Sequence, residues 1–395
     1  MAIMNVIMSA SLTNFVGKLL ELLYNAIGNF GWTVVVFSII LKVVLSPLDI
    51  WQRISTKKQQ KKMEAIKPKL EKLEKQYRNN PDLLKQKQYE VQREAKINVF
   101  ATCLPLIVTM VVFFVVFGGF RALVTYENEL IVEELDKTYV SYVIDYNTGK
   151  LTDDQKTEVN TLYANAQAES PSQKWDILKA YCEDETHGVA NDFTEYTEFA
   201  TEAPEKYVEL RAKLAETYEQ HLEGDKWLWV KNIFKSDTGT DVVPSVESYT
   251  SGGAGGIGAD LEDTQIHTTY TNLTSPAADN LNKTGTWDFK KWNGYFILPL
   301  LSLLTSFLST FIMQRNGPTS AVGTQEQQAQ QQKQMKMMTY MMPIMLAIFA
   351  MLYSAAFAIY YFMSNVMSTV TTLSVNGIMK LVDKRNEVKD QVVIK

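Results

Sequence analysis

The sequence predicts an all-α polytopic membrane protein with five transmembrane helices, a cytoplasmic helical hairpin and an inserted extracytoplasmic helical domain. Three observations lead to this fold class. Strongly apolar segments near the length of a bilayer crossing alternate with polar segments. One polar segment is rich in lysine, and another, much longer one is rich in aspartate and glutamate. The net charge of −5 over 395 residues therefore averages regions of opposite sign.

The five spans are predicted from length. A helix rises ~1.5 Å per residue, so about 20 apolar residues cross a hydrocarbon core that is ~30 Å thick. The fourth span is short, which suggests a tilted helix or a locally thin bilayer. A tight turn near Ser354 is expected between the last two spans. The expected spans are residues 31–50, 99–123, 295–313, 338–353 and 355–379.

Orientation follows from the basic residues of the short loops. Residues 51–98 hold 14 Lys and Arg against 6 Asp and Glu, a net of +8, so this loop is predicted to be cytoplasmic. The loop 314–337 and the tail 380–395 are then also cytoplasmic, and the N-terminus is outside. Residues 124–294 are outside as well, and the part from 126 to 290 has 13 basic against 32 acidic residues, a net of −19.

The cytoplasmic loop 51–98 is predicted to be a helical hairpin. Apolar residues recur at helical spacing from Arg53 to Tyr77, the turn Asn79-Asn80-Pro81 follows, and a second helix runs to Lys96. Pro68 is expected to kink or split the first helix. From spacing alone, a basic hairpin is equally well explained as a solvated charged face.

Residues 1–30 are predicted to include a helix that lies along the bilayer surface. Phe15, Leu19 and Leu22 recur at helical spacing, with Lys18 between them. Gly28 offers a break before the first span; the alternative is that the helix extends that span. No basic segment precedes an apolar core at the start, so a cleaved signal is not expected.

The outer region is predicted to be helical, and no catalytic site is predicted in it. Apolar residues recur at helical spacing between residues 127 and 222, whereas 250–260 is typical of a flexible linker. The pattern Gly253, Gly255, Gly258 follows no strand, so a nucleotide site is not expected. The histidines lack metal-ligand spacing, and two cysteines make no disulfide framework. We therefore expect no metal, no cofactor and no enzymatic activity.

Lys42 is the most informative residue, because it lies in the apolar run FSIILKVVLSPL. A lysine in hydrocarbon is costly, so it should face water, a partner or the bundle interior. The alternative is a lysine whose ammonium reaches the inner headgroups. Lys42 lies about 12 Å from the cytoplasmic end of its span, and a lysine stem reaches only about half of that distance. We therefore favour a cation in a water-filled groove.

The spans resemble those of the YidC/Oxa/Alb family of membrane protein insertases. The resemblance rests on LKVVLSPL around Lys42, the hairpin 55–81, Trp227–Val230, and Met342-Pro343 followed by Ser364-Asn365. It covers roughly 30–123, 226–238 and 292–380, but not the large outer insertion. Lysine stands where the family usually has arginine, which keeps the charge but loses bidentate hydrogen bonding.

The resemblance implies two sets of functional residues. The first lines a hydrophilic groove, in which Thr109 and Ser309 stand where the family often has glutamine, and Tyr361 where tryptophan is usual. The groove set is Lys42, Thr109, Thr305, Ser309, Tyr361, Ser364 and Asn365. The second set lies on the hairpin that would contact clients or the ribosome: Lys57, Lys58, Lys61, Lys62, Met63, Pro68 and Tyr77.

The function implied by this resemblance is that of a membrane protein insertase in the bacterial plasma membrane. It would move client transmembrane segments from a cytoplasm-open groove into lipid. The implied partners are nascent membrane proteins and the lipid bilayer, with the ribosome and the Sec translocon as further candidates, and no small-molecule substrate. Two alternatives stay open: a solute transporter or channel with an anion site at Lys42, and a receptor whose outer domain does the work.

Overall fold

The computed structural model describes residues 12–77, 79–96, 100–187, 189, 193–252, 256–259, 261, 266, 268–285, 287–315, 340–341 and 343–393. Within these ranges the regular structure is helical, and the only β pairing is an isolated bridge between Trp227 and Val230. The all-helical part of the predicted fold class is therefore confirmed. The chain forms two compact units, residues 1–120 with 296–395 and residues 121–295, which we call the membrane unit and the outer unit.

The helices of the described ranges vary widely in length, and three of them exceed 35 residues. Two short 3₁₀ helices, Glu185–His187 and Phe289–Lys291, accompany them. In chain order the α-helices are α1 (Leu12–Ile27), α2 (Phe30–Gln76), α3 (Pro81–Glu94), α4 (Phe100–Gly149), α5 (Asp153–Asn165), α6 (Pro171–Glu183), α7 (Phe199–Glu202), α8 (Pro204–Asp225), α9 (Val246–Thr250), α10 (Tyr270–Leu281), α11 (Ile297–Arg315), α12 (Pro343–Leu352) and α13 (Ala355–Val393).

Helix α2 continues from the apolar segment into the basic one. It begins after Asn29, whose side chain accepts a hydrogen bond from the N–H of Trp32 at 3.2 Å. Gly28, at φ +73°, separates it from α1. Helix α2 then runs unbroken through Pro47 and Pro68. The expectation that Pro68 splits the helix is therefore wrong, because one missing N–H removes a single bond from a helix that long.

Two other helices also extend beyond the predicted boundaries. Helix α4 continues past residue 123 to Gly149, and α13 continues past residue 379 to Val393. In both, the change from apolar to polar residues carries no proline or cap that would end the backbone helix. The change from apolar to polar residues therefore does not mark the end of either helix.

Length and hydropathy single out two helical segments that are long and apolar enough to span a bilayer, Phe30–Gln52 and Met110–Gly149. Ile297–Ile312 and Pro343–Leu352 are apolar but shorter, and these statements cover only the described residues. Tyr353 and Ser354 lie between α12 and α13, near the place where the turn was expected. The count of five spans remains a prediction.

Aromatic rings hold the centre of the membrane unit. Phe37 of α2 lies 5.9 Å from Phe120 of α4 and 6.5 Å from Tyr360 of α13, measured between ring centroids. Phe117 of α4 meets Tyr353 edge-on at 4.7 Å and Phe357 at 5.4 Å. Edge-to-face pairs of this kind favour one packing arrangement. Helices α2 and α11 pack against α13, whereas α1 and α3 pack against α2.

The outer unit buries a core of its own. Leu135, Tyr139, Leu178 and Leu214 are almost completely buried, on the outer part of α4 and on α6 and α8. This packing fits the predicted small helical domain.

The glycine-rich segment is more ordered than its composition suggested. Ile257 and Ala259 are buried, and their N–H groups bond to carbonyls of Ser248 and Tyr249 at 2.9 and 3.0 Å. A Cβ at Gly256 would lie 2.1 Å from the carbonyl oxygen of Ser251, so glycine is needed for this close approach. The prediction of a flexible linker at 250–260 is therefore wrong for the described residues of this segment. Gly253, Gly255 and Asp260 lie outside the described residues.

Candidate functional site

Lys42 lies on α2 and pairs with an acidic residue two turns away. Its Nζ is 4.0 Å from Oδ2 of Asp49, and the two side chains are 18% and 30% exposed. Seven residues are two helical turns, which places both groups on one face. The adjacent Val43 and Val44 are far more exposed, at 58% and 67%. An outer face that is apolar beside a shielded cation is what a lipid environment favours.

Sequence reasoning missed Asp49 as a partner of Lys42. The i, i+7 spacing that places both residues on one helix face is visible in the sequence. The pair gives the lysine a counter-charge inside its own helix.

A polar seam joins α11 to α13; it consists of Ser302, Ser306, Tyr361 and Asn365. The Ser302 hydroxyl donates to the carbonyl of Ala358 at 3.3 Å, and the Ser306 and Tyr361 hydroxyls lie 3.0 Å apart. The Asn365 amide donates to the carbonyl of Ser302 at 3.5 Å. Hydrogen bonds of this kind hold helices together where lipid offers no alternative partner.

The predicted groove residues fall into three groups. Tyr361 and Asn365 belong to the polar seam, whereas the Thr305 hydroxyl donates within its own helix to the carbonyl of Leu301 at 2.7 Å. Ser309 and Ser364 are half-buried on α11 and α13. Thr109 lies on α4, but its side chain is outside the described residues. Ser302 and Ser306, which were not among the predicted groove residues, carry the seam on α11.

The hairpin is an antiparallel pair of α2 and α3. Asn80 caps α3 by accepting from the N–H of Leu83 at 3.2 Å, and Pro81 follows at the first helical position. Ile66 and Leu70 of α2 and Leu84 of α3 are buried. The lysines of this part of α2 instead face solvent: Lys67, Lys69, Lys72 and Lys75.

Three of the predicted hairpin residues can be placed. The Lys62 ammonium donates to the carbonyl of Lys96 at 3.2 Å, which ties α2 to the end of α3. Pro68 is exposed, and Tyr77 ends α2 with its N–H on the carbonyl of Leu73 at 2.9 Å. The side chains of the others lie outside the described residues: Lys57, Lys58, Lys61 and Met63.

No metal centre is found in the part of the chain that the structure describes, since no three His, Cys, Asp or Glu side chains there gather closely enough.

The family model described as 60Kd inner membrane protein matches residues 22–164 and 210–384. This match includes Lys42, the hairpin and the polar seam, and it omits residues 165–209 of the outer unit.

Curated relatives match a smaller part of the chain. A protein of Fusobacterium nucleatum subsp. nucleatum, called membrane protein insertase YidC, is 34% identical over 111 residues, which is 28% of this chain and 52% of that protein. A protein of the same name from Caldanaerobacter subterraneus subsp. tengcongensis is 32% identical over 112 residues, with the same shares. One from Ectopseudomonas mendocina is 34% identical over 95 residues, 24% of this chain and 16% of that protein.

The chain thus spans about half the length of the first two relatives. The family model, by contrast, extends over most of the chain, in both compact units. This protein therefore belongs to the 60Kd inner membrane protein family, the YidC/Oxa/Alb family of membrane protein insertases.

Proposed function

We propose that this protein is a membrane protein insertase of the bacterial plasma membrane. It moves client transmembrane segments from a hydrophilic groove, open to the cytoplasm, into the lipid bilayer, and Lys42 is the cation of that groove. The observation that carries the proposal is the family match, which runs through the Lys42 segment, the basic hairpin and the helices of the polar seam. Relatives that match this chain bear the name membrane protein insertase.

The position of Lys42 supports a role for its charge. The side chain is mostly shielded, while its apolar neighbours on α2 are exposed, and Asp49 gives it a counter-charge at 4.0 Å. An acidic residue in the outer tail of a client could replace Asp49 as the partner. The attraction would lower the cost of bringing that tail into the bilayer.

Release of the client then follows from the different solvation of its polar tail and its apolar helix. Once the polar tail has passed outward, the apolar helix of the client gains by leaving a wet groove for acyl chains. The groove residues predicted beside Lys42 would supply hydrogen bonds during passage, and the polar seam would hold α11 against α13. No cofactor or bond-making step is needed in this scheme, which is not that of an enzyme.

The hairpin is proposed to receive clients on the cytoplasmic side. Its exposed lysines form a basic surface that would attract the RNA of a ribosome. Nascent membrane proteins are the proposed clients, and the Sec translocon is a further candidate partner. The N-terminus would lie outside and the C-terminus in the cytoplasm.

Insertion of a single-span client tests the proposal directly. The client should carry acidic residues in a short outer tail, and the cells should be depleted of their own insertase and complemented with this chain. We expect Lys42→Glu to reduce insertion about tenfold or more, because it places a like charge where the client carboxylate must pass. Lys42→Arg should retain most activity. Protease protection of the client tail measures insertion, at matched abundance of each variant.

The control makes the same charge change where no client contact is proposed. Lys137→Glu alters an exposed lysine of the outer unit that pairs with Glu133 and should leave insertion unchanged. Normal insertion by Lys42→Glu would remove Lys42 from the mechanism. Failure of the wild-type chain to insert any client, together with anion flux in client-free liposomes, would instead favour a transporter or channel.

A further inference from the structure

Two large aromatic side chains of the outer unit face solvent just before the chain enters α11. Trp287 is 76% exposed and Phe289 is 49% exposed, with their ring centroids 5.9 Å apart. Tyr295 is also exposed. Contiguous exposed apolar side chains often mark a surface that contacts a protein, a ligand or a membrane. We call residues 287–295 the aromatic loop.

The base of the aromatic loop is held to the rest of the outer unit by hydrogen bonds of a buried asparagine. Buried Asn293 accepts from the N–H of Asn232 at 2.8 Å and donates to the carbonyls of Asn232 and Ser236 at 3.0 and 2.8 Å. A Cβ on Gly294 would lie 2.0 Å from Oδ1 of Asp237. The loop is therefore pinned at 293–294 and presents its other end outward.

A second exposed apolar tip belongs to the same bonded assembly. Leu228 is exposed at the end of a tight turn closed by the Trp227–Val230 bridge, and its φ of +53° is rare for leucine. Lys231, just after this turn, donates its N–H to the carbonyl of Asn293 at 3.1 Å and its ammonium to the carbonyl of Lys290. The fold therefore keeps a strained conformation that exposes leucine.

The net charge around these two exposed tips is positive, whereas the net charge of the outer region as a whole is negative. Residues 226–231 hold two lysines and no acid, and residues 283–295 hold three lysines and one acid, a combined net of +4. Lys235 is buried and is not counted. Residues 126–290 as a whole have a net of −19. Exposed aromatics amid lysines are typical of a surface that meets anionic lipid headgroups.

The chain itself limits how far this surface can lie from the membrane. Ile297 begins the apolar helix α11 and lies eight positions after Phe289 in the chain. A fully extended chain of that length spans at most about 28 Å.

We infer that the aromatic loop and the Leu228 turn form a lipid-contacting surface that inserts its apolar side chains among anionic phospholipid headgroups. This role is separate from client insertion, and it needs only that α11 enters the membrane. Trp287 and Phe289 would occupy the interfacial layer, and the neighbouring lysines Lys290 and Lys291 would contact lipid phosphates.

Spin labels on the full-length chain in liposomes test this inference. Phe289→Cys carries one label, and Val208→Cys, an even more exposed site on α8, is the control. Cys103 and Cys182 are both replaced by serine, so that the introduced cysteine carries the label. Collisions with oxygen, which concentrates in lipid, are compared with collisions with a water-soluble nickel chelate.

We expect the label at 289 to collide several-fold more with oxygen than with nickel in liposomes of phosphatidylglycerol and phosphatidylethanolamine, and the label at 208 to do the reverse. A Leu228→Cys label should behave like the one at 289. If the labels at 289 and 228 show the same ratio of oxygen to nickel collisions as the label at 208, the surface faces water and is available to a protein partner. The inference then fails.

The lysine contribution is tested in the same samples. Replacing the anionic lipid by phosphatidylcholine, or introducing Lys290→Glu together with Lys291→Glu, should move the label at 289 toward water. An unchanged label position in both cases would overturn the assignment of anionic headgroups as the occupant.

Discussion

The two units bury their polar side chains in different ways. In the membrane unit, hydroxyls bond within a helix or across a pair of helices, as Thr305 does with Leu301 and Ser306 with Tyr361. In the outer unit, buried asparagines bond to the backbone of irregular loops, as Asn232 and Asn293 do. Loss of a hydroxyl bond in the membrane unit leaves the helices intact. The asparagine bonds of the outer unit, by contrast, determine the path of the backbone.

The difference follows from what each environment can supply. Inside a bilayer the helix satisfies its own backbone, so side-chain bonds add only modestly to helix association. A loop in the outer unit leaves backbone groups unpaired, and each buried one needs a specific partner. Polar substitutions should therefore be costly in the outer unit and cheap in the membrane unit.

The largest effect is expected from Asn293→Ala. This change removes three hydrogen bonds and leaves the buried N–H of Asn232 without a partner, at a cost of about 4 kcal/mol. The carbonyls of Asn232 and Ser236 keep the bonds that they accept from the N–H groups of Lys235 and Thr238. Hydrogen exchange of the full-length protein in detergent, read by mass spectrometry, should show much faster exchange over residues 226–250 and 287–295. Asn280→Ala, at an exposed side-chain contact with Glu219, is the matched control. Equal protection in both variants would break the comparison.

The next effect concerns a buried acid of the outer unit. Asp225 is almost completely buried, and its Oδ2 lies 3.8 Å from Nε2 of His221, too far for a hydrogen bond. Burial, with the charge of Glu127 adding to it, raises the pKa of Asp225 to about 8. His221 also contacts Glu134, at 3.3 Å. An acid held protonated in the folded state favours folding at low pH.

The sign of the pH dependence follows from linkage. The unfolded chain releases the Asp225 proton near pH 4 and the folded chain near pH 8, so stability falls as pH rises between those values. Between pH 5 and pH 7 the loss is about 3 kcal/mol. Asp225→Asn should remove this slope in exchange rates of α8 amides, after correction for intrinsic rates. A slope that survives in this variant would show that Asp225 is not its source.

Sequence reasoning recovered the features that depend on local pattern. Helical spacing and the Asn80-Pro81 turn describe the hairpin, because caps and turns act over a few residues. An isolated charge in an apolar run drew attention to Lys42 for the same reason. The family resemblance came from short local segments as well, and the family match confirms it.

What sequence reasoning missed depends on distant partners or on environment. Asn232 and Asn293 are 61 residues apart, and nothing local marks either as buried. The glycines near Ile257 are typical of a linker by composition, yet tertiary packing buries their neighbours. Helix α2 passes from apolar to basic sequence without a stop, so the membrane boundary could not be found from the helix end. Only the i+7 relation of Asp49 to Lys42 was available and overlooked.

A smaller effect is expected at the polar seam. Tyr361→Phe removes one hydrogen bond to Ser306 between two helices and should cost about 1 kcal/mol of membrane-unit stability. Urea titration in detergent micelles, followed by near-UV circular dichroism, measures this loss. Ser306→Ala should give a similar value, and the double variant should cost little more than either alone, because both remove the same bond. A loss like that of Asn293→Ala would contradict the contrast between the units.

The smallest effect is expected from Asp49→Asn, and it separates the counter-charge of Lys42 from its role toward clients. A partly exposed pair at 4.0 Å contributes about 1 kcal/mol, so a client carboxylate that replaces Asp49 gives up that much of its attraction. Asp49→Asn should therefore raise insertion of an acidic-tailed client by a few-fold at limiting abundance and leave a neutral-tailed client unchanged. Asp49→Glu, which keeps the charge, serves as control. If Asp49→Asn instead blocks insertion as strongly as Lys42→Glu, the carboxylate is part of the groove itself, since no competition with clients could then explain its effect.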